Sequence, residues 1–324
     1  MLRQFPVIGW QFVALTLLTL GMLTPAGAYD TTAVDQNEVI ASDPTDAGAF
    51  YDRGLAFAHK GKLQRAIDNF NKAIRLNPDY ADAYYDRGLA YASIGDNDRA
   101  IADLGKAIEF NPAHAFPYAN RGYAYFQKGN YGLAIADFDK AIELGPDLAD
   151  VYYNRGLAYD ARGHTGRAIA DFDKVIELDP DHVSTYRSRG RAHFNRGDFE
   201  AAVPDLRRDA EGGSVYGMLW LFVAQSNALQ MAATELATNA ASLKSKAWPY
   251  PIVELYLGQQ PAAAIFAKAG NANQRCEAYF YIGEWHLVHG RPSQAIEPLR
   301  TAVRICPRDF MEYSGALAEL GRIE

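Results

Sequence analysis

Few residues in this sequence are of types, and at spacings, that do chemistry. His286 and His289 lie three apart, which would put two imidazoles on one helical face as the start of a metal site. No carboxylate or third histidine joins them, and catalytic zinc takes three protein ligands, so no metal site is expected. Asp-Phe-Asp-Lys occurs at 137–140 and again at 171–174, with carboxylates at short spacing. These read as the solvated faces of helices, not as an acid–base pair. Arg196-Gly197-Asp198 is the integrin tripeptide, but its glycine reads as a helix C-cap. Gly-rich phosphate loops, a nucleophile elbow and H-E-x-x-H are absent, so neither a cofactor nor an enzyme is expected. With 39 acidic and 32 basic side chains, a net charge of -7 offers no electrostatic footprint for nucleic acid.

The elements behind these residues are periodic. Arg-Gly recurs at Arg53-Gly54, Arg87-Gly88, Arg121-Gly122, Arg155-Gly156 and Arg189-Gly190, always 34 residues apart. The first unit begins at Ala47 and carries Phe50, Gly54, Phe57, Gly61, Ala66, Phe70, Ala73 and Pro78. The next has Tyr84, Gly88, Tyr91, Gly95, Ala100, Leu104, Ala107 and Pro112 at the same offsets, and two more units repeat the pattern. Small residues such as Gly54 and Ala66 let two helices cross closely, and aromatics fill the gaps between units. Gly61, Gly95, Gly129 and Gly163 supply left-handed C-caps, and the prolines begin turns after Asn77, Asn111 and Asp179. This resembles the tetratricopeptide (TPR) repeat. The resemblance implies an all-α fold, a superhelix (α-solenoid) of helical hairpins that are stable only when stacked.

The rest of the chain is arranged around this array. Residues 1–28 have Arg3, an apolar stretch and small residues ending at Ala28, the pattern of a cleaved signal peptide. After cleavage no stable membrane anchor is expected, and the protein is expected to be exported, periplasmic and soluble. The alternative is an inner-membrane anchor through residues 5–23, which approach the length that spans a bilayer. Residues 29–46 read as an N-terminal capping half-repeat, because Pro44 lies one period before Pro78. Residues 47–214 hold repeats one to five, the fifth decaying where Asp209 replaces a small residue. Residues 215–271 read as an irregular helical segment, with helices over 215–229, 232–241, 251–257 and 261–269. At 272–324 the repeat returns with Tyr279, Gly283, Gly290, Ala295, Leu299, Ala302 and Pro307, followed by a last helix over 309–320 that should cover the exposed end.

Within the irregular segment, Met218-Leu219-Trp220-Leu221-Phe222-Val223-Ala224, Trp248-Pro249 and residues 252–258 are similar to the NlpI-type TPR proteins of bacterial envelopes. Residues 276–283 extend the likeness. It implies a non-enzymatic periplasmic adaptor that brings peptidoglycan hydrolases to a processing protease. The sequence departs from that family in lacking a lipobox cysteine. A periplasmic assembly or export-complex scaffold is the alternative. A cell-wall enzyme sited in 211–271 is disfavoured, because that stretch has no cysteine or histidine and only Glu211, Glu235 and Glu254 as acids.

The expected partners are other proteins or extended peptide segments, such as an envelope hydrolase or protease; a homodimer is plausible. First-helix positions five, six and nine nominate Tyr51, Tyr85, Asn120, Tyr123, Tyr153, Asn154, Arg187 and Arg191 as a peptide-binding groove. It would be aromatic, turning basic toward the fifth repeat, and so suited to a segment with an acidic end; the competing reading has some of these tyrosines pack only against neighbours or the N-terminal segment. Cys276 and Cys306 occupy positions one and 31 of the last hairpin, where antiparallel helices bring the two ends together. In an exported protein this spacing implies a disulfide. Closing a loop of about 30 residues stabilises by roughly 3–4 kcal/mol on the chain-entropy argument. Alkylation of the unfolded, unreduced protein should add no mass, and reduction should expose two reactive thiols.

Overall fold

The computed structural model describes residues 45–228, 232–243, 245–308 and 310–324. The expected signal peptide, and all of the expected capping half-repeat except its last two residues, lie outside them. All regular structure described is α-helical, as the repeats imply. The chain divides into two compact units, Met1–Ala158 and Tyr159–Glu324.

In the first unit the hairpins are α1 (Ala47–His59) with α2 (Leu63–Leu76), α3 (Ala81–Ser93) with α4 (Asn97–Phe110), and α5 (Ala115–Gln127) with α6 (Tyr131–Leu144). Helix α7 (Ala149–Ala161) opens the next hairpin. Each second helix buries one stripe, for example Ala66, Phe70 and Ala73 on α2 and Ala134, Phe138 and Ala141 on α6. That stripe meets the glycine of the first helix: a Cβ on Gly54 would lie 2.4 Å from the Phe70 ring, and one on Gly122 would lie 2.9 Å from Phe138. Gly61, Gly95 and Gly129 end the first helices with φ of 67, 82 and 74°. After α2 the Asn77 side chain accepts from the Asp79 amide at 3.3 Å, turning the chain where the proline stops the helix.

The Arg-Gly arginines latch these hairpins together. Arg87 makes a bidentate pair with Asp103 at 2.6 and 2.7 Å, 16 residues on. Its third nitrogen donates to Asn71, 16 residues back in the preceding repeat, at 2.6 Å. Arg121 pairs with Asp137 in the same way at 2.8 Å, and Arg155 reaches back to Asp139 at 2.6 Å. Gly105 occupies the backward position for Arg121, which therefore hydrogen-bonds only its forward partner among the described residues. The guanidinium of Arg121 also lies 5.8 Å from the Tyr118 ring centroid. This corrects the expectation for the Asp-Phe-Asp-Lys segments. Their first carboxylates, Asp137 and Asp171, are buried, and only the second, Asp139 and Asp173, face solvent. A buried carboxylate survives because the latch supplies its counter-ion.

The second unit contains α8 (Thr165–Leu178) and the fifth-repeat hairpin of α9 (Val183–Arg196) and α10 (Phe199–Glu211). The latch continues here: Arg189 holds Asp205 at 2.8 Å and Asp173 at 2.6 Å. Gly197 is left-handed, φ 82°, as the C-cap reading required. The irregular segment forms α11 (Val215–Asn227), α12 (Ala232–Ala241), α13 (Tyr250–Tyr256) and α14 (Ala263–Lys268). Helix α11 is apolar on all sides and buried from Gly217 to Gln225, the condition of a helix covered all round. Its Trp220 stands edge-on to Phe194 of α9 at 4.9 Å, and its other face stacks on Phe280 at 5.2 Å. Phe280 belongs to the last hairpin, α15 (Ala272–Val288) and α16 (Pro292–Ile305). Cys276 and Cys306 are joined in a disulfide across it, with Cα atoms 5.0 Å apart.

The last helix, α17 (Met311–Ile323), does more than cover α16. It also reaches back to the fifth repeat. Arg322 donates to the carbonyl oxygens of Phe194 and Asn195 at 3.3 and 3.2 Å and lies over the Phe194 and Phe199 rings. Gly315 makes the approach possible, since a Cβ there would lie 2.8 Å from Trp220 and 2.9 Å from Phe280. The second unit thus closes on itself instead of ending in an open stack.

Arg121→Ala should destabilise the fold by about 2–3 kcal/mol, because Asp137 stays buried without its partner. Urea denaturation followed by far-UV circular dichroism reads this. Arg121→Ala combined with Asp137→Ala should recover part of the loss.

Candidate functional site

Of the eight groove residues expected from the repeats, Tyr51, Tyr85, Asn120, Tyr123, Tyr153 and Asn154 fall in the first unit. A hydrogen-bonded ladder ties the first three to the neighbouring repeat. The Tyr51 hydroxyl donates to Asp86 Oδ2 at 2.6 Å, 35 residues on. One repeat later, Asn120 Nδ2 donates to the Tyr85 hydroxyl at 3.3 Å, again 35 residues on. The repeat period sets this step: position five of one unit meets position six of the next. Tyr51 and Tyr85 are half-buried, so the ladder fixes each side chain without enclosing the residue. Tyr123 is buried, which pushes its hydroxyl pKa up, and Tyr153 is half-buried.

Position six behaves differently from expectation. Asn120 and Asn154 are buried and turn their amides to their own helices, donating to the carbonyl oxygens of Phe116 at 2.9 Å and Asp150 at 2.8 Å. They serve the repeat interface rather than a free peptide edge. Asp86 occupies the same place in the second repeat, 7% exposed. Unlike Asp103 and Asp137, it has no ion-pair partner among the described residues; its hydrogen bond comes from Tyr51. Burial pushes its carboxyl up from 3.8 to about 6, and Asp82 adds to the rise. Three further carboxylates gather nearby. Asp46, Asp52 and Asp82 are exposed. Burial raises the pKa of Tyr80, whose ring lies 5.0 Å from that of Tyr51, and Asp82, Asp52, Asp46 and Asp86 add to the rise. The sequence reading missed Tyr80 and Asp82, because they precede or open the first helix rather than sit at positions five, six or nine. The recurrence of Asp52, Asp86, Asn120 and Asn154 at position six was the available signal.

The expected basic end needs correction. In the second unit Arg187 is paired with Asp209 at 2.9 Å, and Arg191 with Asp160 at 2.7 Å. Asp209 is the residue that marked the decay of repeat five, and its buried carboxylate neutralises the arginine meant for a ligand. These two arginines are internal counter-ions.

The acids of the irregular segment are likewise engaged. Glu235 takes a bidentate pair from Arg207 at 2.8 and 3.1 Å, which lowers its pKa, the opposite of what a general acid needs. Glu254 pairs with Lys268 at 3.0 Å. Glu284 and Glu312 are pushed up by burial, Glu312 to about 7, but both lie in the interior at 0% and 3% exposure.

The hairpins, the arginine latch and the half-buried aromatic face define a helical-repeat protein. Sequence-family patterns described as TPR repeat match residues 54–95 and 122–163, and those described as tetratricopeptide repeat match 81–114 and 149–182. The chain carries tetratricopeptide repeats in these stretches. No curated protein sequence matches it. Among solved structures, Pseudomonas aeruginosa pilF is similar with a TM-score of 0.56 at 17% identity, covering 69% of this chain and 99% of its own. That likeness is one of fold. A MamA crystal structure gives 29% identity and a TM-score of 0.49, covering 51% of this chain and 90% of its own. YrrB, described as a TPR protein with an unusual peptide-binding site, gives 21% identity and 0.49, covering 55% and 91%.

Asp86→Asn tests the buried carboxylate. A carboxyl raised on folding takes up a proton between its unfolded and folded values, so stability falls as pH rises from about 4 to about 6. Asparagine, the residue repeats three and four carry here, still accepts from Tyr51. The variant should be more stable than the parent at pH 7, by about 1–3 kcal/mol. The gain should vanish below about pH 4 in a pH series of thermal melts.

Proposed function

We propose that this protein is a non-enzymatic scaffold that holds an extended segment of another protein against the first-helix face of its repeats. The observation that carries the reading is the tyrosine ladder. Tyr51 and Tyr85 are oriented by bonds to Asp86 and Asn120 and remain half-buried rather than enclosed. Aromatic groups held in this way offer contact area at low entropy cost. The second unit adds a disulfide-joined hairpin, which suits an oxidising compartment. With the signal-like residues 1–28, this supports a periplasmic site of action. The likeness of residues 218–224, 248–249, 252–258 and 276–283 to NlpI-type proteins supports a role as envelope adaptor, presenting peptidoglycan hydrolases to a protease.

A triple variant, Tyr85→Ala, Tyr123→Ala and Tyr153→Ala, tests the groove, with circular dichroism as the control for folding. Affinity capture from envelope extract with the parent protein should recover a wall hydrolase or a processing protease. Binding of that partner, measured with purified components, should weaken by about tenfold or more in the variant, as loss of aromatic anchors does. Unchanged affinity would remove the groove, and recovery of secretion or export components alone would replace the adaptor with an assembly scaffold.

A further inference from the structure

The N-terminal repeats carry a carboxylate that the fold does not neutralise. Asp103 and Asp137, the other buried carboxylates among the described residues of the first unit, each hold a bidentate arginine. Asp86 is as deeply buried, at 7% exposure against their 6% and 7%, and has only the Tyr51 hydroxyl. Its Oδ1 accepts from no group among the described residues. Leaving a buried charge without a counter-ion costs free energy, and the cost disappears when a cation arrives. Asparagine would avoid it, as Asn120 and Asn154 do at the equivalent positions.

The surroundings of Asp86 are suited to one kind of cation. Exposed Asp52 and Asp82 act with it on Tyr80, and Asp82 also acts on Tyr51. Tyr51 and Tyr80 lie together at 5.0 Å between ring centroids. Carboxylates beside aromatic faces recognise an alkyl-ammonium or guanidinium group, which takes a hydrogen bond partner at its head and a ring along its plane or stem. The basic residues expected at the other end, Arg187 and Arg191, are already paired and leave no comparable attraction for an acidic segment.

We propose that the segment bound by the repeats is basic, and that it presents a lysine or arginine side chain to Asp52, Asp82 and Asp86 beside Tyr51 and Tyr80. This rests on the first-helix face being a peptide site and assigns the chemistry of its occupant.

The test uses the full chain and fluorescence anisotropy with blocked, labelled peptides of one length. One alternates lysine with leucine, one arginine with leucine, one glutamate with leucine and one serine with leucine. The basic peptides should bind about tenfold or more tightly than the others, and added salt should weaken them. Asp82→Asn with Asp86→Asn should remove that preference, while the thermal melt shows the variant folded. Two results would overturn the inference, and they differ. If the glutamate or serine peptide binds as well as the basic ones, and Tyr123→Ala weakens binding where the Asp variants do not, the groove stands and its basic specificity falls. If no peptide of any charge binds, the groove reading fails and takes this one with it.

Discussion

In repeats one, two, three and five the arginine one residue ahead of the helix-crossing glycine is held by a carboxylate or amide 16 residues on. Arg87, Arg155 and Arg189 are also held by a group 16 residues back. Arg87 and Arg189 show the full arrangement, with Asp103 and Asn71 around the first and Asp205 and Asp173 around the second. The forward partner lies in the same hairpin and the backward one in the hairpin before, so one guanidinium sets the spacing within a repeat and between repeats. Its planar fork of donors can serve both at once, which an ammonium group cannot do with the same geometry. The carboxylates are buried because the arginine is there, and the glycine beside it lets the second helix come close enough to be reached.

The latch occupies one side of each first helix. Positions five and six continue the inter-repeat bonding with different chemistry, a tyrosine hydroxyl against a carboxylate or amide of the next unit. Here the tyrosines stay half-buried, the position-six groups they meet are buried, and the Asp86 charge is not balanced by a counter-ion among the described residues. Asp86 is the clearest case, because its burial pushes it up to about 6 while repeats three and four solve the same position with asparagine.

The second unit follows another logic. With α11 apolar on every side, a linear stack would leave one of its faces in water. The last hairpin covers one face through Phe280, and α17 packs close on Trp220 and Phe280 at Gly315 and reaches back to α9 through Arg322. Stacked repeats contact only their neighbours, whereas this closure joins residues more than a hundred positions apart. Two of its acids are held internally, Glu235 by Arg207 and Glu277 by the Tyr216 hydroxyl and the Trp248 ring nitrogen.

Period and residue type alone determined the hairpins, the glycine crossings, the left-handed caps and the cysteine pair. Each of these depends on contacts between residues a fixed and short distance apart, so that Gly54 implies Phe70 and Cys276 implies Cys306. The same local logic located Tyr51 and Tyr85 but not what they would touch. Tertiary structure alone decided that Asp137 is buried and Asp139 exposed, since two acids in one short segment differ only in which way the helix turns them. It decided too that Arg187 and Arg191 serve Asp209 and Asp160, because a charge reads as available until its partner is known. The return of α17 to α9 was equally illegible, for it depends on how α11 must be covered on all its faces, and no repeat period encodes that.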